Sequence, residues 1–269
     1  MKRAVLHALL AAAAALTAFP LLWMVSASLM AHGESNHSPP PLLPAAPTLD
    51  NYRALFSQLR MGRFLRNSTL LAGAVTLLSL AINSMAGYAF AKLRFRAREP
   101  LFRALLSALV IPAQVAMLPL FLLLKYLGLV NTYAGVVIPG MASIFGIFLI
   151  RQYALGIPDS LLEAARLDGA SEFTIYRKIV LPMIKPILVT LALFTFLASW
   201  NDFLWPLIIL TDDDRYTLPV ALASLNREHA ADNELMMAGS VVTVIPVLLL
   251  FLFLQRYYIE GIMLGGVKE

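Results

Sequence analysis

The sequence predicts an all-α, polytopic membrane protein with six transmembrane helices. Of its 269 residues, 59% are hydrophobic and only 14% are charged, whereas soluble domains average about 45–50% apolar and about 25% charged residues. This excess of apolar residues indicates contact with lipid. The chain has no cysteine, which excludes disulfides, thiolate metal sites and cysteine nucleophiles. The net charge of +5 is typical of membrane proteins that hold Lys and Arg on the cytoplasmic side, so no nucleic-acid partner is expected.

Six segments have the composition of transmembrane helices, each of which needs about 20 predominantly apolar residues. They are residues 4–29, 67–91, 104–124, 133–150, 186–210 and 236–254. Only the fifth segment contains an acidic or basic residue, Asp202. Because lipid offers the backbone no hydrogen-bond partners, apolar runs of this length are predicted to be helical. We expect a single transmembrane domain over residues 1–269.

The first segment also fits a cleaved signal peptide. Lys2 and Arg3 would be its basic start, and Val25-Ser26-Ala27 resembles a cleavage site. A signal-peptide core has about 7–15 residues, whereas this apolar run has 26. We therefore predict that the first segment is a retained transmembrane helix.

The distribution of Lys and Arg predicts the orientation of the chain. With a cytoplasmic N-terminus and six alternating spans, the inner segments carry 14 of these residues and the outer segments seven. Basic residues are enriched in cytoplasmic loops, so both termini are predicted to be cytoplasmic. Four outer arginines run against this asymmetry and are expected at the lipid headgroups, with snorkelling stems. They are Arg53, Arg60, Arg63 and Arg66.

The most informative segment is the predicted cytoplasmic loop 157–186, IPDSLLEAARLDGASEFTIYRKIVLPMIKP. Ser160 and Glu163 have the spacing of a capping box, which predicts a short helix over residues 161–168. Gly169 would end that helix in the left-handed conformation. Ser171 would cap a second helix, so the loop is predicted to be a helix–turn–helix.

Four apolar side chains of this loop are predicted to be exposed, namely Leu161, Leu162, Leu167 and Phe173. Ala164 and Ala165 would keep one face of the first helix thin enough for another protein to approach closely. Taken by itself, the loop also fits an amphipathic connector that lies on the lipid surface.

The motif of this loop resembles a known family. Glu163-Ala164-Ala165, Gly169, Ile179 and Leu181-Pro182 match every fixed position of the pattern EAA-x3-G-x9-I-x-LP, the EAA motif of ABC-importer permeases. Longer segments resemble maltose-type carbohydrate permeases, in particular their shorter, MalG-like subunit. These segments are residues 111–139, 145–153, 199–210 and 261–269.

The resemblance implies the ABC type I importer permease fold and a location in the bacterial inner membrane. It implies that the chain forms half of a translocation pathway for a sugar or related polar solute. The implied partners are a homologous second permease subunit in a heterodimer, two ATP-binding-cassette ATPase subunits, a periplasmic binding protein and membrane lipid. In that family the EAA loop sits in a cleft of the ATPase. The implied coupling residues are Glu163, Ala164, Ala165, Asp168, Gly169, Ile179, Leu181 and Pro182.

The sequence contains no sign of an enzyme. A P-loop needs a Gly-Lys pair, and none of the six lysines follows a glycine, so partner subunits are expected to hydrolyse ATP. No cofactor is expected. The spacing of the four histidines, His7, His32, His37 and His229, fits no metal site. A membrane enzyme would need convergent polar groups, which are not evident.

A secondary transporter or channel is the main rival class, because such proteins place ionisable residues inside the membrane. The candidate here is Asp202. Trp200, Asn201 and Asp202 are candidates for lining a sugar pathway, where aromatic rings stack on the solute and polar groups bind its hydroxyls. They also fit an interfacial aromatic belt with a helix-packing Asn and Asp.

The outer loop 211–235 carries three consecutive acidic residues, Asp212, Asp213 and Asp214. We predict that they dock a basic surface of the binding protein. A solvated charge run without a partner is the alternative.

Overall fold

The computed structural model describes residues 2–228 and 232–266, and the described residues contain helices but no strand. The all-α prediction is therefore confirmed. His229 and the last three residues of the predicted tail, 267–269, lie outside the described residues. The first helices are α1 (Lys2–Ser28), α2 (Asp50–Ser57), α3 (Met61–Lys92), α4 (Arg98–Ser107), α5 (Ala113–Tyr126), α6 (Tyr133–Gly140) and α7 (Ile144–Leu155). The remaining helices are α8 (Asp159–Leu167), α9 (Glu172–Ile175), α10 (Leu181–Met183), α11 (Lys185–Trp200), α12 (Leu204–Ile209), α13 (Leu218–Glu228) and α14 (Asn233–Gly266).

The candidate membrane spans agree with the predicted number. Within the described residues, four stretches are long and apolar enough to cross a membrane: Val5–Ser28, Met61–Lys92, Tyr133–Leu155 and Asn233–Phe253. Two bent helix pairs pass the same criteria, Arg98–Val110 with Ala113–Tyr126 and Glu172–Met183 with Lys185–Trp200. The total is six if each bent pair counts as one span.

The third predicted span, 104–124, is not one straight helix. The chain bends by 105° between Arg98–Val110 and Ala113–Tyr126. Pro112 causes the break, because proline has no amide hydrogen and its ring disfavours a helical conformation at the preceding residue. Ile111 is accordingly extended, with φ −81° and ψ 118°.

The fourth and fifth predicted spans are also interrupted. In the fourth, Thr132 accepts a hydrogen bond from the Gly135 amide at the start of α6, and Ser143 accepts one from the Gly146 amide at the start of α7. In the fifth, predicted over 186–210, α11 ends at Trp200 and α12 begins three residues after Asn201. The hydropathy of these segments is continuous although their helical hydrogen bonding is not.

The described chain forms two compact units. The first comprises Met1–Arg66 and Thr217–Leu248, and the second comprises Asn67–Tyr216 and Leu249–Glu269. The predicted single domain stays a prediction.

In the first unit, α2 is held by Asn51, whose side-chain amide donates to the carbonyls of Ser28 (3.0 Å) and Met30 (2.9 Å). The proline-rich stretch 39–47 contains no helix. No residue of the apolar window in α1 is buried, which is expected of a helix that faces lipid.

The second unit contains the core that positions the predicted coupling loop. Buried side chains from α3, α7, α8, α9 and α11 form one apolar cluster beneath it. Its largest members are Tyr88, Ile150, Leu162, Ile175, Tyr176, Ile184 and Leu191. This cluster fixes which residues of the loop face inward and which face water.

Candidate functional site

The first helix of the loop, α8, begins differently from the prediction. The capping box is wrong, because the N-cap is Pro158 and no side chain accepts a hydrogen bond there. Pro158 has φ −61° and ψ 129°, so the helix starts immediately after it and Ser160 lies inside the first turn. Asp159 occupies the first position, where the helix dipole favours a negative charge.

Asp159 is anchored by the last residue of α3. Lys92 Nζ donates to Asp159 Oδ1 at 2.7 Å and to the Ile157 carbonyl at 2.6 Å. The nearby ammonium group of Lys92 lowers the pKa of the Asp159 carboxyl. The Lys92 side chain is only 6% exposed, so its charge is directed at the loop. The sequence predicted Lys92 only as a generic cytoplasmic cation.

The turn after α8 matches the prediction. Gly169 has φ +79°, a left-handed conformation that glycine adopts at low cost. Ser171 Oγ accepts a hydrogen bond from the Thr174 amide at 3.3 Å and so caps α9. The chain then continues through a π-helical turn over Tyr176–Val180. The predicted helix–turn–helix is therefore confirmed.

The two faces of α8 differ in exposure. Ser160, Glu163, Ala164 and Leu167 are exposed at helical spacing, and Leu167 is 90% exposed. On the opposite face, Leu162 is only 1% exposed, so the prediction that it is exposed is wrong. Leu162 faces inward because it is spaced three residues from Ala165, which packs on the same apolar cluster.

The EAA motif therefore contains two kinds of residue. Ala165, Ile179 and Leu181 pack against the apolar cluster beneath the loop. The others are exposed: Glu163, Ala164, Asp168, Gly169 and Pro182. The first set holds the loop in place, and the second set forms its surface.

The three pathway candidates follow the end of α11. Trp200 is 1% exposed, and its ring stacks on Phe196 with centroids 5.5 Å apart. Asp202 Oδ1 accepts a hydrogen bond from the Trp205 amide at 3.3 Å, so it caps the start of α12. Asn201 is exposed and its side-chain amide donates to the Leu197 carbonyl at 2.9 Å. Of the three, only Asn201 presents an exposed polar side chain.

The burial of Trp200 contradicts the alternative of an interfacial belt, and the neighbouring Trp205 is buried as well. Trp205 is 8% exposed, and its Nε1 donates to the Gly135 carbonyl at 3.1 Å. A ring that is buried in protein and hydrogen-bonded there does not lie among lipid headgroups. The sequence could not show this, because Trp205 and Gly135 are 70 residues apart.

The three consecutive acidic residues Asp212, Asp213 and Asp214 are exposed. Asp212 Oδ1 accepts a hydrogen bond from the Asp214 amide at 3.1 Å, and Arg215 Nε lies 3.7 Å from Asp212 Oδ2. Asp212 therefore shapes a turn and is paired with a cation. Docking of the binding protein by Asp212, Asp213 and Asp214 stays a prediction.

A cluster of one histidine and two acidic residues in the first unit was not predicted. Ligand-type atoms of His32, Asp232 and Glu234 lie within 4.8 Å of one another. His32 Nδ1 pairs with Asp232 Oδ2 at 3.1 Å, and Glu234 Oε1 accepts a hydrogen bond from the Ser35 amide at 2.6 Å. These contacts hold the segment after α1 against the start of α14.

Known proteins are similar to this chain over nearly its whole length. Residues 80–262 match the family described as "Binding-protein-dependent transport system inner membrane component". The arabinooligosaccharides transport system permease protein AraQ of Halalkalibacterium halodurans is 41% identical over 253 residues, or 93% of this chain and 91% of that protein. The lactose transport system permease protein LacG of Rhizobium radiobacter is 33% identical over 267 residues, or 97% and 95% of the two chains.

Two further relatives widen the comparison. The sn-glycerol-3-phosphate transport system permease protein UgpE of Brucella abortus is 31% identical over 265 residues, or 95% of this chain and 94% of that protein. The crystal structure of a bacterial ABC transporter involved in the import of the acidic polysaccharide alginate has the same fold. Its TM-score is 0.85, it covers 96% of both chains, and its sequence identity is 24%. The chain thus belongs to the family of inner-membrane components of binding-protein-dependent transport systems, the permease subunits of ABC importers.

Proposed function

We propose that this permease carries a carbohydrate or a related polar solute, and that a separate ATPase drives it through the loop 157–186. The names of the relatives support the solute class, because they include arabinooligosaccharide, lactose and sn-glycerol-3-phosphate permeases. The chain contains no P-loop Gly-Lys pair, which supports ATP hydrolysis by a partner subunit.

The exposed surface of the loop carries the proposal. Leu167 is 90% exposed and Phe173 is 65% exposed, beside the small side chain of Ala164. Large apolar groups at the tip of a loop that also carries several charges mark a surface that another protein covers. We expect this surface, formed by Glu163, Ala164, Leu167 and Phe173, to enter a cleft of the ATPase.

The remaining partners follow from the family. We propose two ATPase subunits, a homologous second permease in a heterodimer, and a periplasmic binding protein that delivers the solute. Six spans in one chain are half of the pathway in this arrangement, and both termini are cytoplasmic. Asn201 is the proposed solute contact, with Trp200 and Asp202 holding the chain around it. Residues 212–214 are the proposed contact for the binding protein.

The docking surface can be tested with Ala164→Trp in the assembled transporter. A bulky ring on this exposed position is expected to abolish co-purification of the ATPase, because the helix can no longer enter the cleft. Ala164→Ser keeps the face thin and is the matched control. Ala165 is unsuitable, because it packs on the buried cluster and a larger side chain there would displace the loop itself.

Gly169→Ala tests the geometry of the same loop. A β-carbon at Gly169 would meet no atom within 4 Å, so its cost comes from the left-handed backbone, about 1–2 kcal/mol. We expect reduced ATP hydrolysis and solute uptake in a membrane domain that remains folded. Wild-type ATPase binding, hydrolysis and uptake in both Ala164→Trp and Gly169→Ala would refute the docking assignment.

A further inference from the structure

One face of the membrane-spanning helix α3 holds the coupling loop at three points. Ser84, Tyr88 and Lys92 are spaced four residues apart, so they lie in one stripe along the helix. From Ser84 to Lys92 the stripe extends over eight residue steps, or about 12 Å of helix axis. Each of the three side chains bonds to a different part of the loop 157–186.

The first contact along α3 joins Ser84 to Tyr176. Their hydroxyl oxygens are 2.7 Å apart in a buried environment. The Ser84 hydroxyl donates its one hydrogen to the Leu80 carbonyl at 2.5 Å, so the Tyr176 hydroxyl donates to Ser84 Oγ. Tyr176 begins the π-helical turn of the loop.

The middle contact joins α3 to both helices of the loop. The Tyr88 hydroxyl donates to Glu172 Oε2 at 2.9 Å, and Arg166 Nε donates to Glu172 Oε1 at 2.6 Å. Glu172 is the first residue of α9, and Arg166 lies in the last turn of α8. The ring of Tyr88 also packs on Tyr176, with centroids 5.9 Å apart.

The third contact is made by Lys92, the last residue of α3, at the beginning of the loop. Its three ammonium hydrogens have three acceptors, the carbonyls of Leu155 (3.3 Å) and Ile157 (2.6 Å) and the Asp159 carboxylate (2.7 Å). Both ends of α8 are therefore linked to α3, the first through Lys92 and the second through Arg166, Glu172 and Tyr88.

We propose that the stripe of Ser84, Tyr88 and Lys92 passes the movement of the coupling loop to α3. This inference rests on the proposed function, since it requires an ATPase that moves α8. Hydrogen bonds are directional, so three of them along about 12 Å of helix axis prevent the loop from sliding over α3. A purely apolar contact would permit such sliding. A displacement of α8 then displaces α3, and the three residues act as positioning residues for coupling.

The test uses the complete transporter in proteoliposomes with its ATPase and binding protein. Tyr88→Phe removes one hydroxyl and keeps the ring in its packing, and Lys92→Met removes the ammonium group and keeps the apolar stem. Tyr153→Phe is the matched control, because Tyr153 packs on the same cluster but its hydroxyl has no hydrogen bond within the described part of the chain. In Tyr88→Phe and Lys92→Met we expect bound ATPase and continued ATP hydrolysis, with solute uptake per ATP lowered about 5-fold or more.

A fluorophore on α3 supplies a readout that a purely structural role would not change. The chain has no cysteine, and Met85 is 45% exposed on α3, so Met85→Cys gives one labelling site. An ATP-dependent change in the fluorescence of this label is expected when Met85→Cys is the only substitution and when it is combined with Tyr153→Phe. The change is expected to disappear when Met85→Cys is combined with Tyr88→Phe or with Lys92→Met.

Two results would overturn the inference. In the first, uptake per ATP and the label signal remain at wild-type values in both variants. In the second, hydrolysis and uptake fall by the same factor together with the melting temperature, which would make the stripe a stabilising contact only. Neither result affects docking, which Ala164→Trp tests separately through co-purification of the ATPase.

Discussion

The close approach of α3 and α7 at Gly87 provides a prediction that can be worked from distances. A β-carbon on Gly87 would lie 2.6 Å from both Cβ and Cγ2 of Ile150 and 3.1 Å from the Arg151 amide nitrogen. Carbon atoms in contact are normally about 3.5–4.0 Å apart, so Gly87→Ala requires a shift of about 1 Å. Ile150 is fully buried, and its β-branched side chain has little freedom to move away.

The free-energy cost of the clash at Gly87 is measured against a substitution at Gly73 in the same helix. Overpacking of this kind costs about 1–3 kcal/mol. Gly73→Ala is the matched control, because its β-carbon would meet no atom within 4 Å. Both substitutions gain about 1 kcal/mol of helix propensity, so the difference between them reports the clash alone.

Thermal unfolding of the purified chain in lipid nanodiscs measures this difference. One kcal/mol shifts Tm by about 2–4 °C in chains of 150–250 residues, so Gly87→Ala is expected to melt roughly 2–12 °C below Gly73→Ala. Equal Tm values for the two variants would refute the close approach of α3 and α7.

Two further predictions concern the faces of the membrane. If both termini are cytoplasmic, a cysteine at Leu43 (76% exposed) reacts with an impermeant reagent from outside, whereas one at Arg96 does not; the reverse pattern would invert the topology. Ser35 is unsuitable for labelling because it is only 8% exposed. If residues 212–214 dock the binding protein, neutralising Asp213 and Asp214 weakens binding at low salt, where the Debye length reaches about 30 Å at 0.01 M. Unchanged affinity at that ionic strength would show that these residues only solvate the loop.

Several details of the candidate site could not be predicted from the sequence. The spacing of Ser160 and Glu163 fits a capping box, but Pro158 fixes the backbone two residues earlier, and Asp159 becomes the first residue of α8. Ala164 and Ala165 are identical in the sequence, yet one is exposed and the other packs on the buried cluster. These outcomes depend on helix phase and on neighbours that are distant in sequence.

The sequence by itself determined the class of the protein. Long apolar runs require lipid and helices, since an unpaired backbone is too costly in a bilayer. The spacing from Glu163 to Pro182 identified the EAA motif, because a short helix, a glycine turn and a second helix are encoded by local residues. The left-handed Gly169 and the cap at Ser171 confirm this local determination.

Only the tertiary structure decided which helix receives the loop. Ser84, Tyr88 and Lys92 lie between 65 and 92 residues away from their hydrogen-bond partners in the loop 157–186. No local pattern encodes these pairs, because they form only when α3 packs against the loop over the buried cluster that contains Ile150 and Leu162. The break at Asn201 likewise depends on backbone hydrogen bonding, to which the hydropathy of a segment is insensitive, whereas the break at Pro112 follows from the proline itself.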